Sequence, residues 1–203
     1  QTAYLKCHYP IEFMAALMTS VRDNTSKVIH YTMNCKELGI SMLSPDINEG
    51  YSDFSVADGG IRFGMSAIKG IGVNVIERIV AERKSGGAYT SLQNFLERLA
   101  SGEVNKHVVE NLIKSGAMDS LPGNRHQKVI AYANIMDAVS KDRRNNMAGQ
   151  VSLFDLGDEG FAKAKQYPLP NVEEFPKEEL LTYEKEVMGI YVSGHPLEEY
   201  VAL

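Results

Sequence analysis

Ala67 to Arg83 reads A-I-K-G-I-G-V-N-V-I-E-R-I-V-A-E-R. An apolar helix end is expected to reach Lys69, and the chain then to turn through Gly70-Ile71-Gly72. A second helix should follow with Val75, Ile76, Ile79 and Val80 on one face. Two glycines around one apolar residue permit a tight bend, because glycine visits positive φ at little steric cost. Ile71 can pack between the helices, while Lys69 adds a mobile positive charge. Past the bend, Gly72, Val73 and Asn74 lie at a helix start, where main-chain N–H groups lack partners and the dipole favours an anion.

This is the pattern of a helix-hairpin-helix, which grips phosphate without reading bases. Lys69, Gly70, Ile71, Gly72, Val73 and Asn74 are therefore the candidate phosphate-binding residues. The competing reading is a turn and nothing more. The net charge of −5 looks wrong for a DNA binder until it is divided along the chain. Residues 61–128 carry ten basic and six acidic groups, whereas 148–203 carry four and eleven. The positive excess thus coincides with the turn, as a phosphate surface requires.

Outward from the turn the chain reads as mainly α with small β elements. Pro10 at a first helical position precedes Phe13, Met14, Leu17 and Met18. Ser26 to Leu38 predicts a helix with Val28, Tyr31, Cys35 and Leu38 inward and Gly39 as its stop. Ile40 to Leu43 predicts a short strand, and Phe54-Ser55-Val56 pairs with Ile61-Arg62-Phe63 around Asp58-Gly59-Gly60. Gly86-Gly87 breaks the second helix of the hairpin. Leu92 to Ser115 then predicts a second, degenerate hairpin unit, with Thr90 or Ser91 and then Asn105 as caps. Its connection, Ala100 to Val104, lacks G-x-G, so structural support is expected of it. A long helix from Asn124 to about Arg144 should bury Val129, Tyr132, Ala133, Met136 and Val139; its basic end, Lys141, Arg143 and Arg144, suits a helix C-terminus. Pro176 opens a helix ended by Gly189, and Ile190-Tyr191-Val192 resembles a strand. The pieces are 1–56, 57–145, a linker at 146–175, and 176–203.

Inside that linker, Gln150-Val151-Ser152-Leu153-Phe154 keeps three apolar residues where nothing local buries them. An extended peptide of this kind can insert Leu153 and Phe154 into a partner's apolar pocket, with Gln150 adding directional hydrogen bonds. Folding back onto the neighbouring domain is the alternative.

No catalytic constellation is legible. Asp46, Asp53 and Asp58 are too dispersed to nominate a two-metal site, and no phosphate loop or nucleophile elbow occurs. The histidines do not cluster, so no structural metal is predicted. Cys7 and Cys35 read as reduced thiols. No run approaches a membrane span, and the start lacks the pattern of a signal peptide. The first and last residues suggest a segment of a longer protein.

Several blocks in order resemble the C-family replicative DNA polymerases of bacteria. Residues 1–17 are similar to the distal part of their fingers domain. Residues 38–48, 61–72 and 104–119 are similar to their tandem helix-hairpin-helix region, 149–154 to their sliding-clamp motif, and 184–197 to the entry into their oligonucleotide-binding fold. The resemblance implies a parent enzyme that extends primers with Mg²⁺, its catalytic aspartates lying upstream of Gln1, so that no catalytic residue, metal or cofactor is expected in this segment. Lys69, Gly70, Ile71 and Gly72 would hold duplex DNA without sequence preference. Gln150, Leu153 and Phe154 would anchor the clamp, with Val151 and Ser152 between them. Val151 departs mildly from the Leu usual at that position. Other replisome subunits would join through the parent chain, in the bacterial cytoplasm at the nucleoid and with no membrane partner. The competing readings are a non-enzymatic clamp adaptor, an error-prone paralogue, and a glycosylase, which needs an Asp about 20 residues past the turn. No Asp occurs between Gly72 and Asp119.

Overall fold

A computed structural model describes residues 1–99, 104–147 and 166–194, apart from the side chains of 145–147. Helices α1 (Thr2–His8), α2 (Pro10–Ser20) and α3 (Thr25–Glu37) precede a small sheet. Helices α4 (Val73–Gly86), α5 (Leu92–Leu99), α6 (Lys106–Lys114), α7 (Arg125–Met147) and α8 (Lys177–Met188) follow it. The fold is mainly α with small β elements, as the periodicity predicts. Pro10 occupies the first turn of α2, whose Met14, Ala15 and Met18 are buried. Asn24 caps α3 by accepting from the Lys27 N–H, and Gly39 at φ +71 follows its end. The buried face of α3 is Val28, Thr32 and Cys35; Leu38, expected inward, sits on the C-cap and is half exposed. Burial pushes the Cys35 thiol up to about 11, while Cys7 is exposed; both are free.

The sheet has the order β1 (Met42–Leu43), β3 (Gly60–Arg62), β2 (Ser55–Ala57). Strands β2 and β3 pair antiparallel across Asp58 and Gly59, with Val56 opposite Ile61. Both turn residues have positive φ, +48 and +74, which is what a two-residue hairpin demands and Asp-Gly supplies. Strand β1 runs parallel to β3, with Met42 opposite Ile61. Phe54 and Phe63 meet edge to face at 4.9 Å.

The helical part follows its caps. The Ser91 hydroxyl accepts from the Asn94 N–H at 3.0 Å, and Asn105 accepts from Val108 at 3.0 Å. Asn124 and Gln127 cap α7 reciprocally, at 2.8 and 3.0 Å. The buried stripe of α7 is Arg125, Lys128, Ala131, Ile135 and Val139, a correction to the expected one. Val129, Tyr132, Ala133 and Met136 flank it and are only half-buried. Counting apolar residues missed the stripe because two of its members are charged.

Two further details differ from expectation. Residues 166–175, assigned to the exposed linker, lie as a strap against α7, half of them still exposed. Tyr167 donates its N–H to Gln93 at 3.0 Å and its hydroxyl to Asp142 at 3.1 Å, and Phe175 stacks on His126 at 4.2 Å. Ile190 to Val192 is no strand, because the amides of Val192 and Ser193 donate to the Glu184 carboxylate instead of a ladder. The apolar core runs without a break from Met14 on α2 to Ile190 after α8.

Candidate nucleic-acid interface

The first arm of the hairpin is shorter than expected. A 3-10 turn at Met65–Ala67 replaces the helix end predicted to reach Lys69. It is sewn to the preceding loop: Met65 donates to the Tyr51 carbonyl at 3.0 Å, and the Ser66 N–H and hydroxyl both donate to the Ser52 carbonyl. Ile68 and Ile71 are buried, so the turn is pinned by two apolar side chains, while Lys69, Gly70, Gly72, Val73 and Asn74 face solvent. Ile71 is thus a packing residue, and only its main chain is available to a ligand.

The two glycines have different reasons. Gly70 stands at φ +74, where an L side chain is strained, and a Cβ there would lie 2.8 Å from the His107 ring. Gly72 caps α4 with an ordinary extended backbone, φ −74 and ψ 148. A Cβ on Gly72 would meet nothing within 4 Å. Among the described residues no side-chain contact requires glycine at 72, and the space beside it is open.

The bend is held from behind. The Lys69 N–H donates to the Val187 carbonyl at 2.8 Å, and buried Asn111 on α6 donates to the Lys69 carbonyl at 2.8 Å. In a planar trans peptide the C=O and the next N–H point in opposite directions. Drawing the Lys69 carbonyl inward therefore turns the Gly70 N–H outward. Among the described residues, the amides of Gly70, Ile71, Gly72, Val73 and Asn74 have no internal acceptor. The Lys69 ammonium, expected to be mobile, is tethered to the Glu186 carbonyl at 2.9 Å, at the C-terminal end of α8.

The charge excess of residues 61–128 is largely spent on the fold. Arg83, 9% exposed, donates to the carbonyls of Ile47 and Gly50. Arg125, 5% exposed, chelates Asp119 with two nitrogens and reaches the fully buried Glu184 at 3.1 Å. Burial alone would lower the Arg125 pKa, but hydrogen bonds and charge from Asp119 and Glu184 raise it. Lys128 is 0% exposed and donates to the carbonyls of Met118, Leu121 and Gly123; desolvation lowers its pKa. Arg62, Arg98, Lys106 and Lys114 are paired with Glu49, Glu82, Asp137 and Glu110. The sequence count of positive groups thus overstates what a polyanion would meet, and the exposed amides matter more.

Among helices of eight or more residues, α4 begins with neither a side-chain cap nor an acid in its first turn. Helices α3, α5, α6 and α7 are capped by Asn24, Ser91, Asn105 and Asn124; α2 and α8 carry Glu12 and Glu178 in their first turns. Sequence reading missed Asn111 and the Arg125 network. The available signal was a polar residue on the buried face of α6, between Val108 and Leu112. Gln150, Val151, Ser152, Leu153 and Phe154 lie outside the described residues.

A match to the helix-hairpin-helix motif family covers residues 39–128, which include the bend, so a helix-hairpin-helix domain lies within this mainly α fold. The chain is 40% identical over 201 residues to DNA polymerase III subunit alpha of Saccharopolyspora erythraea, covering 97% of this chain and 17% of that protein. It is 40% identical over 200 residues to the Borreliella burgdorferi subunit, covering 98% and 17%, and 39% identical over 203 residues to that of Thermus aquaticus, covering 100% and 16%. The chain belongs to the DNA polymerase III alpha-subunit family, and it spans about a sixth of the length of these curated relatives.

Proposed function

We propose that the bend at Gly70–Asn74 binds the phosphate backbone of duplex DNA without sequence preference, as the DNA-holding part of a DNA-directed DNA polymerase. The supporting observation is a run of exposed amides with no internal acceptor, at a helix start left uncapped. Amides that lack a partner and lie at the positive end of a helix dipole favour a phosphate oxygen. The Lys69 side chain, tied by one hydrogen bond to the Glu186 carbonyl, stands close to them. With most cations already paired, binding is weak and strongly salt-dependent.

Nucleotidyl transfer itself is assigned to parts of the polymerase beyond these residues. The Mg²⁺ of polymerisation is assigned with it to those other parts. Gln150 to Phe154 is the segment that captures the sliding clamp, Leu153 and Phe154 entering an apolar pocket. A contact of that size is weak alone, yet it keeps DNA at high effective concentration and so supports processivity. Further replisome subunits join through the rest of the polymerase. Among the described residues no helix is long and apolar enough to cross a membrane, and the place of action is the bacterial cytoplasm, at the nucleoid.

Fluorescence anisotropy on a mixed-sequence duplex at low salt tests the DNA reading. Gly72→Val should weaken binding while the protein stays folded by its melting curve, since a Cβ at that position meets no described atom within 4 Å. Equal affinity overturns the assignment. Leu153→Ala with Phe154→Ala should abolish calorimetric binding to purified clamp; retained affinity removes the peptide's role.

A further inference from the structure

We propose that a groove between α3 and the segment after α8 is a docking site for the chain's own residues 197–201. Leu197, Tyr200 and Val201 fill the groove, and Glu198 and Glu199 pair with Lys36 and Lys185 at its rim. The proposal is independent of the DNA-binding reading.

The C-terminal end of α8 meets α3 at Gly189. A Cβ on that glycine, which stands at φ +78, would be 2.6 Å from Thr25 Cγ2. Further along α3 the two elements leave a groove of about 310 Å³, lined by Ile29, Met33, Ile190 and Tyr191. Through Lys36 and Tyr191 it joins a second hollow of about 370 Å³ at Met42 and Val192. Met33 is 62% exposed, more than any other large apolar side chain among the described residues. Covering such a surface removes apolar area from water.

The rim indicates what covers it. Lys36 and Lys185 both border the groove, and neither is ion-paired among the described residues; the Lys185 ammonium stands 4.7 Å from the centre of the Tyr191 ring. By contrast, Arg62, Lys114 and Arg125 each hold a carboxylate. Two uncompensated ammonium groups beside an apolar floor suit a peptide with carboxylates next to apolar side chains.

Such a peptide follows directly in the chain. Residues 195–203, outside the described residues, read H-P-L-E-E-Y-V-A-L and contain no Lys or Arg. Leu197, Tyr200 and Val201 recur at i, i+3 and i+4, with Glu198 and Glu199 between them. Gly194, the last described residue, is three positions past Tyr191 on the groove wall. At about 3.3 Å per residue, Leu197 can reach about 10 Å from Gly194. The floor from Ile29 to Lys36 is also about 10 Å long, at about 1.5 Å per helical residue. Attachment to the same chain gives the segment a high effective concentration, so weak ion pairs suffice.

The test is a thiol cross-link in the full chain at low salt. Cys7→Ser removes the exposed thiol, while buried Cys35, its thiol pushed up to about 11, reacts little. Met33→Cys and Ala202→Cys supply the reactive pair, joined by a short bismaleimide and read by intact mass and peptide mapping. A melting curve for each variant checks that it is folded. Lys36→Glu with Lys185→Glu should slow the intramolecular link about tenfold. Adding Glu198→Lys with Glu199→Lys should restore the rate. Leu197→Ser with Tyr200→Ser should slow it without touching any charge. A rate indifferent to the charge reversals, not restored by the second pair, or unchanged by the serines overturns the proposal. Links between two molecules would give the groove to a second copy, and no link at all would give it to another protein or to water; either result overturns it too.

Discussion

Two helix starts in this molecule solve one electrostatic problem in opposite ways. At α7 the orphan amides are filled from within: Glu174 accepts from Arg125 at 2.9 Å and His126 at 3.0 Å, and Asn124 accepts from Gln127. At α4 the amides of Gly72, Val73 and Asn74 have no acceptor among the described residues, and its cap is a glycine without a side chain. Every helix start favours negative charge. At α7 a carboxylate of the chain's own closes such a site, whereas at α4 the site stays open, which the proposed binding of phosphate requires.

Changes at the closed end should reach stability and leave DNA binding alone; changes at the open end should do the reverse. The largest effect is expected from Arg125→Ala, which leaves Glu184, fully buried, without its cation. Breaking a buried pair in this way costs about 3–5 kcal/mol, read from urea unfolding. Removing the carboxylate cap with Glu174→Ala should cost about 1 kcal/mol. Its pH dependence has a definite sign. Burial disfavours the Glu174 anion, but the amides of Arg125, Phe175 and His126, with the Arg125 charge, outweigh it and lower the pKa. A carboxyl with a lowered folded pKa stabilises the fold above the usual carboxylate range, and the contribution disappears as pH falls through the lowered value. The Ala variant should show a flatter stability profile over that acid window.

Asn74→Asp would close the open end. A carboxylate in the first turn of α4 should raise stability by about 0.3–1 kcal/mol and weaken duplex binding. Higher stability with unchanged affinity would sink the comparison. The smallest effect is expected from Lys69→Ala: binding falls at all sequences alike, and the slope of log K against log salt drops by about 1. Replacing Lys128 with Ala should leave that slope alone, because its ammonium is buried among carbonyls and faces no ligand.

Much of the fold was legible because it is written locally. Asp58-Gly59 specifies its turn, Asn24, Ser91, Asn105 and Asn124 start their helices, and Gly39 and Gly189 follow two ends, each through hydrogen bonds or dihedrals spanning few residues. The bend was legible for the same reason. The strap at 166–175 was not: its proline and acids look like a linker, and its order comes from partners such as Gln93 and Asn124, far away in sequence. Ile190 to Val192 failed as a strand because a single distant carboxylate took its amides.

The amino-acid order by itself determined the helix starts, the β-hairpin and the glycine bend, since each depends on backbone preferences within a few positions. Only the tertiary structure decided which charges remain for a ligand. Arg83, Arg125 and Lys128 count as cations in the composition, yet each is consumed by carbonyls or carboxylates brought close by folding. It also decided that Asn111, 42 residues from Lys69, turns the bend's amide outward. Burial and partnership are properties of neighbours in space, and spacing along the chain cannot report them.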